Sequence, residues 1–367
     1  MAAPLLALKQ GYGPLSVGFL LALFSLTQVF LALPAGRFAD RNGLRRPVRL
    51  AVVFSFAGAS LAAVFPGYLV LCVAALCMGG ATGAASIALQ RHVGRAARDA
   101  TELKQVFSWL SIGPAISNFF GPVVSGLLID NAGVWMGGSV ADANGFRAAF
   151  AFLALLPWVS WYFIHGAQEL PPVEASAQHK AAPAWHMLRD AGMRRLLLVN
   201  WLLSSCWDVH TFVVPVLGHE RSFSASVIGA ILGAFAIAAA CVRVLMPILA
   251  ARLREWVVVT SAMVVTAVLF AIYPAMHSPW AMGACSVLLG LALGTVQPMI
   301  MSTLHQITPH AQHGQALGLR LMSINFSSVV MPMLFGTAGL VVGVSVVFWT
   351  VGAAVGLGAH AAWRLRP

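Results

Sequence analysis

The sequence predicts an all-α protein that crosses a membrane many times, and three observations carry that reading. Of its 367 residues 59% are apolar and 9% charged, against about 45–50% and about 25% in soluble domains. The apolar residues gather into eleven runs, each near the roughly 20 residues a helix needs to cross about 30 Å of hydrocarbon. Lys and Arg fall almost entirely between the runs. A soluble globular protein is excluded, because a core of this size cannot hide so many apolar side chains from water.

The runs follow one another with short connections that carry turn formers. The first, 14–36, stops where Arg37 opens a basic loop, and Pro66-Gly67 divides 48–66 from 68–90. The fourth, 105–129, is rich in small residues, and the fifth, 146–167, runs into a long polar stretch. The next four are 195–217, which contains a carboxylate, then 224–250, 256–274 and 279–304, the last opening at Ser278-Pro279. Runs 314–340 and 342–363 complete the set. Short connections of this kind imply antiparallel neighbours in a compact bundle. The five cysteines, Cys72, Cys77, Cys206, Cys241 and Cys285, lie inside runs and form no CxxC pair, so they read as small hydrophobes rather than ligands or disulfides.

Residues 168–194 are the one long connection, with Pro171, Pro172 and Pro183 among charged residues, the composition of a linker. The predicted organisation is an N-terminal helix bundle over 1–167, a linker over 168–194 and a C-terminal bundle over 195–367. A repeat supports it. Gly18 matches Gly229 and Gly83 matches Gly294 at an offset of 211, and Pro122 matches Pro332 and Gly126 matches Gly336 at 210. Two similar halves are common in transporters.

Basic loops stay cytoplasmic, and alternate loops hold most of the 22 Lys and Arg: Arg37, Arg41, Arg45, Arg46 and Arg49, then Arg91, Arg95, Arg98 and Lys104, then Lys180, Arg189, Arg194 and Arg195, then Arg252 and Arg254, then Arg364 and Arg366. This puts the C-terminus in the cytoplasm. The net charge of +11 is thus topology, not a nucleic-acid surface, which would need basic residues clustered on one solvated face. Eleven spans place Met1 outside, and the apolar opening Met1–Leu8 before Lys9 reads as the outer end of a twelfth span whose beginning lies outside this chain.

After the first run comes Gly36-Arg37-Phe38-Ala39-Asp40-Arg41-Asn42-Gly43-Leu44-Arg45-Arg46. Gly36 permits close helix approach, Gly43 a turn with positive φ, and Asp40 can pair with Arg and cap the N–H groups of a neighbouring helix. Five Arg in that loop would also enforce topology. The segment resembles the signature loop between the second and third helices of the major facilitator superfamily, with Leu44 where that family usually has a basic residue. The resemblance implies two pseudo-symmetric six-helix bundles, eleven to twelve helices in all with the first truncated, and gating roles for Gly36, Asp40, Arg41, Gly43, Arg45 and Arg46. A weaker resemblance to the family's proton-coupled exporters lies in 105–129, where Ser117, Gly121, Pro122 and Gly126 keep small size and a Pro kink. Against it, the Arg those exporters carry early in the fourth helix has no counterpart in 70–80.

Ionisable residues at bilayer depth are functional candidates. Asp208 is the carboxylate that lies well inside a run, and it is the predicted proton-coupling group or an anchor for a cationic substrate. Arg243 and Arg320 are candidates for an anionic substrate, or they snorkel to the interface. With Gln28, Asn118, Asn200, Trp207, Gln297 and Asn325 they make the predicted cavity lining, and Gln297-Pro298 is where a Pro would break a helix. His210, two residues from Asp208, reads as structural.

The expected function is secondary transport of a small organic solute by alternating access, coupled to protons or another ion, with efflux preferred over uptake. No P-loop, nucleophile triad, HExxH or metal-ligand set occurs, so neither an enzyme, a cofactor nor direct ATP coupling is expected. A monomer in a bacterial inner membrane is the expected setting. The alternatives are a non-transporting sensor, an inactive truncated carrier, or an uptake permease for an organic anion.

Overall fold

A computed structural model describes residues 2–12, 14–135, 144–170, 184–223, 225–249 and 253–366. Twelve α-helices follow one another: α1 (Ala2–Lys9), α2 (Pro14–Asn42), α3 (Arg45–Val64), α4 (Tyr68–Ala96), α5 (Ala100–Trp135), α6 (Asn144–His165), α7 (Ala191–Glu220), α8 (Ala225–Leu249), α9 (Glu255–Ile272), α10 (Pro279–Ile307), α11 (His313–Val342) and α12 (Val344–Trp363). No strand occurs among the described residues. Nine of these helices are long and apolar enough to span a membrane along their described residues. In lipid every backbone polar group must be satisfied within its own segment, which leaves the helix as the economical spanning element.

Most of 168–194 lies outside the described residues, but its end forms a short 3-10 helix, Ala184–Arg189, that packs on α7. The break expected at Pro298 is absent: α10 runs through it without interruption. Pro removes one i→i−4 hydrogen bond and crowds the turn before it, and neighbouring helices in a bundle hold such a turn in place.

The chain divides into two compact units. The first joins Met1–His92, Ile116–Ser176 and Ala311–Asn325. Here α3 lies along α6, and α1 packs on α2 and α6 around Leu6, Leu20, Leu71, Phe146 and Phe150. The second joins Val93–Ala115, Ala177–His310 and Phe326–Pro367. In it α9 lies along α12, the α3/α6 pairing repeated six helices later, while α10 packs on α7, α8 and α9. Each unit thus takes most of one sequence half and one short segment of the other.

Large apolar side chains such as Leu69 (79% exposed), Trp280 (88%) and Leu357 (80%) point outward. In a bilayer that exposure carries no penalty, and helices associate through close packing and hydrogen bonds. The polar contacts at the helix ends therefore have unusual weight.

Candidate functional site

In the first unit the basic end of α2 meets the start of α11. Gly36 and Gly314 cross with their backbones touching: a Cβ on Gly36 would lie 2.2 Å from the Gly314 carbonyl oxygen, and one on Gly314 would lie 2.3 Å from that of Gly36. One turn on, the Asp40 carboxylate accepts hydrogen bonds from the backbone N–H of Gly314 (2.8 Å) and Gln315 (3.1 Å). These belong to the first turn of α11, whose N–H groups have no partner within their own helix and carry the positive end of its dipole. Arg91 of α4 donates Nε to Asp40 Oδ1 at 2.7 Å, and both side chains are nearly sealed, 3% and 7% exposed. Arg91 also donates to the Asp40 carbonyl. One carboxylate thus ties three helices together.

Behind it, Gly43 adopts φ +72°, the left-handed region that Gly enters without strain. The turn exposes the first N–H groups of α3 to Glu169, whose carboxylate accepts from Leu44 (3.3 Å) and Arg45 (2.6 Å), while the Arg45 side chain donates to the Ala167 carbonyl. Arg41 and Arg46 are exposed, Arg46 donating to Asn42 on its own helix.

The second unit has a corresponding contact of different chemistry at the start of α5. Lys104, 7% exposed, donates to the Leu253 carbonyl (2.8 Å) and lies 3.6 Å from Glu255. Glu255 is also held by Ser302 and Gln306 of α10. Farther along α5, Gln105 donates to the Pro247 carbonyl and Ser108 to that of Arg243.

Deeper in the same unit lie three of the cavity candidates. Asp208 sits roughly 25 Å along α7, a helix about 45 Å long at 1.5 Å per residue. Its Oδ2 is buried with no hydrogen-bond partner among the described residues. The Arg243 guanidinium of α8 lies 5.5 Å from the centre of the Trp207 ring, near enough for a cation–π contact, and donates to the Ser111 carbonyl at 3.5 Å. Buried Arg243 Nε has no partner, and no carboxylate pairs with this guanidinium among the described residues. Beside them His210 stacks on Phe235 and meets Ser286, which meets Tyr273; that network is a satisfied core.

The sequence profile of the Major Facilitator Superfamily matches residues 1–216 and again 196–367. The chain belongs to that superfamily. It is 26% identical over 343 residues to the "Efflux pump azaK" of Aspergillus niger, an alignment covering 87% of this chain and 71% of the pump. Its fold matches that of a bacterial homologue of the iron transporter ferroportin, in an outward-facing state, with a TM-score of 0.77 over 98% of this chain and 92% of that one at 15% identity. It also matches the human organic anion transporter MFSD10 with a TM-score of 0.75, over 98% and 88% of the chains at 17% identity. This facilitator is therefore a multi-pass membrane transporter, and not an enzyme.

The other predicted cavity residues divide between the units. Buried Asn200 and half-buried Gln297 belong to the second. Half-buried Gln28, buried Arg320 and Asn325 belong to the first, and Asn325 bonds to Leu321 of its own helix. The side chain of Asn118 lies outside the described ones. The tight packing expected of the exporter-like segment is not found. Ser117 and Gly121 are exposed, and a Cβ on Gly121 would meet no described atom within 4 Å. Small residues there leave room on a face of α5 instead of drawing a helix in; the side chains of Pro122 and Gly126 are outside the described set.

Arg91, Glu169, Lys104 and Glu255 carry much of this facilitator's polar geometry, and the sequence does not single them out. Arg91 reads there as a loop charge because the apolar run ends at residue 90, whereas α4 continues to Ala96. A helix outlasting its hydrocarbon segment was the signal available.

Proposed function

We propose that this transporter is a proton-coupled exporter of a small organic solute, working by alternating access as a monomer in a bacterial inner membrane, with its C-terminus in the cytoplasm. The unpartnered carboxylate oxygen of Asp208 carries the proposal. A buried polar atom without a partner is costly, and at bilayer depth such groups mark ion and substrate paths. In the proposed cycle Asp208 takes up a proton while no substrate is bound. It releases the proton when substrate enters beside Trp207, so uptake and release alternate. The two contacts at the basic helix ends form the cytoplasmic gate: Asp40 with Arg91 and the start of α11, and Lys104 with Leu253 and Glu255. The likeness to an efflux pump supports the outward direction.

A second reading, import of an organic anion, is favoured by the buried Arg243 guanidinium, which no described carboxylate neutralises. One experiment separates the two: proton release from detergent-purified protein as cationic, neutral and anionic solutes are added. The proposal expects release with one solute class, its abolition in Asp208→Asn, and retained solute binding in that variant. Binding without release from the unmodified protein rejects proton coupling at Asp208. Binding confined to anions and lost in Arg243→Gln selects the second reading.

A further inference from the structure

At the basic ends of α7 and α12, within the second unit, lies a groove of about 420 Å³ between the two helices. Its mouth carries Arg195, His360 and Arg364, and its wall carries Leu198, Leu202 and Leu357. Arg195 reaches across to donate Nη1 to the Arg364 carbonyl at 3.4 Å, so its charge is held over the groove. No carboxylate pairs with Arg195 or Arg364 among the described residues. Below the charges the wall opens outward: Leu198 is 45% and Leu357 80% exposed. Beside the mouth Trp363 packs edge-on against Trp256, ring centres 4.8 Å apart, with the Arg366 guanidinium 6.0 Å from the Trp363 ring. Tryptophans of this kind sit at headgroup level.

We propose that this groove is a binding site for an anionic phospholipid. Its phosphodiester would sit between Arg195 and Arg364, with His360 beside it, and an acyl chain would lie along Leu198 and Leu357. The three levels of the groove match the three levels of such a molecule in a leaflet. A zwitterionic lipid brings an ammonium group that finds no carboxylate at the mouth. A free phosphate satisfies the cations but leaves the leucine wall uncovered. Loop arginines that only set topology need no groove, whereas these two converge on one, and basic pockets between spanning helices are where anionic headgroups bind. The site does not depend on the transport reading, since it uses neither Asp208 nor Arg243.

The test is native mass spectrometry of the full chain with phosphatidylglycerol and with phosphatidylcholine. Phosphatidylglycerol is expected to bind at least tenfold more tightly, and Arg195→Gln/Arg364→Gln to lower its affinity by roughly ten- to thirty-fold, two basic contacts at the membrane surface. Arg49→Gln, an exposed arginine of the first unit, is expected to change nothing. Equal binding of the two lipids, an undiminished preference in the double variant, or an equal loss in Arg49→Gln overturns the proposal. So does inorganic phosphate protecting the chain against heat as well as phosphatidylglycerol does. Should the double variant fail to fold, the unmodified chain decides: phosphatidylglycerol with a photoreactive acyl chain should label 195–202 and 354–364, and labelling confined elsewhere rejects the site.

Discussion

Replacing Asp40 by Asn keeps the shape of the side chain and removes its charge, so it tests whether the α2/α11 contact is electrostatic. Two backbone N–H bonds at 2.8 and 3.1 Å lose their ionised acceptor, and hydrogen bonds to charged groups contribute about 1.5–3 kcal/mol against about 0.5–1.5 for neutral ones. The larger effect falls on Arg91, 3% exposed and left without its carboxylate; breaking such a buried pair from one side costs about 3–5 kcal/mol. A shift of about 3 kcal/mol, the low end, is roughly a 100-fold change in the closed-to-open ratio at that contact. Hydrogen exchange followed by mass spectrometry reads it directly. Peptides containing the Gly314 and Gln315 amides should exchange on the order of 100-fold faster in Asp40→Asn. Adding Arg91→Met, which removes the stranded cation and keeps a long apolar stem, should recover most of the loss. If exchange at 314–315 changes less than about threefold, or Arg91→Met makes Asp40→Asn worse, Asp40 is not the group that holds α11.

Gly314→Ala places a methyl 2.3 Å from the Gly36 carbonyl oxygen; such overpacking costs about 1–3 kcal/mol, so the thermal midpoint in detergent should fall, and an unchanged midpoint would refute the crossing. Gly36→Ala should lower it similarly, and the double variant by less than the sum, because both alter one contact. Lys104→Met removes the bond to the Leu253 carbonyl and the pairing with Glu255, a loss of about 1.5–3 kcal/mol. Exchange should quicken around 253–256 with 314–315 untouched, and a change at both places would show that the two contacts are not independent.

How much of this was legible depends on the range of each interaction. The helices were, because a run of apolar residues meets its solvent along its whole length and needs no distant partner. The loop after α2 was readable because Gly36, Asp40 and Gly43 act within one turn of one another. Asp208 stood out because a carboxylate among apolar residues is conspicuous in any context. Glu169 was not readable: it caps α3 from 124 residues away, and no local pattern announces a long-range cap. Lys104 and Glu255 were hidden similarly, each looking like an ordinary helix-end charge until folding put them 3.6 Å apart. The exposed Ser117 and Gly121 show the converse, since small residues at helical spacing look the same whether they admit a neighbouring helix or keep space open.

The two end contacts also differ in a way the repeat makes plain. The 211-residue offset maps Asp40 onto Ala251 and Gln315 onto Lys104, so the second half has no carboxylate where the first has its latch. It also has less need of one. The start of α5 is capped by its own residues: Asp99 accepts from the Glu102 N–H at 2.8 Å, and Glu102 from the Arg98 N–H at 2.7 Å, a reciprocal capping box. The start of α11 borrows its acceptor for Gly314 and Gln315 from α2. Opening the α2/α11 contact therefore returns two N–H groups to water and strands a buried arginine, whereas opening the α5 contact leaves its helix cap intact and releases a lysine that water solvates well. The energetic weight of the gate falls on Asp40, and the Lys104 contact is the one that can give way first.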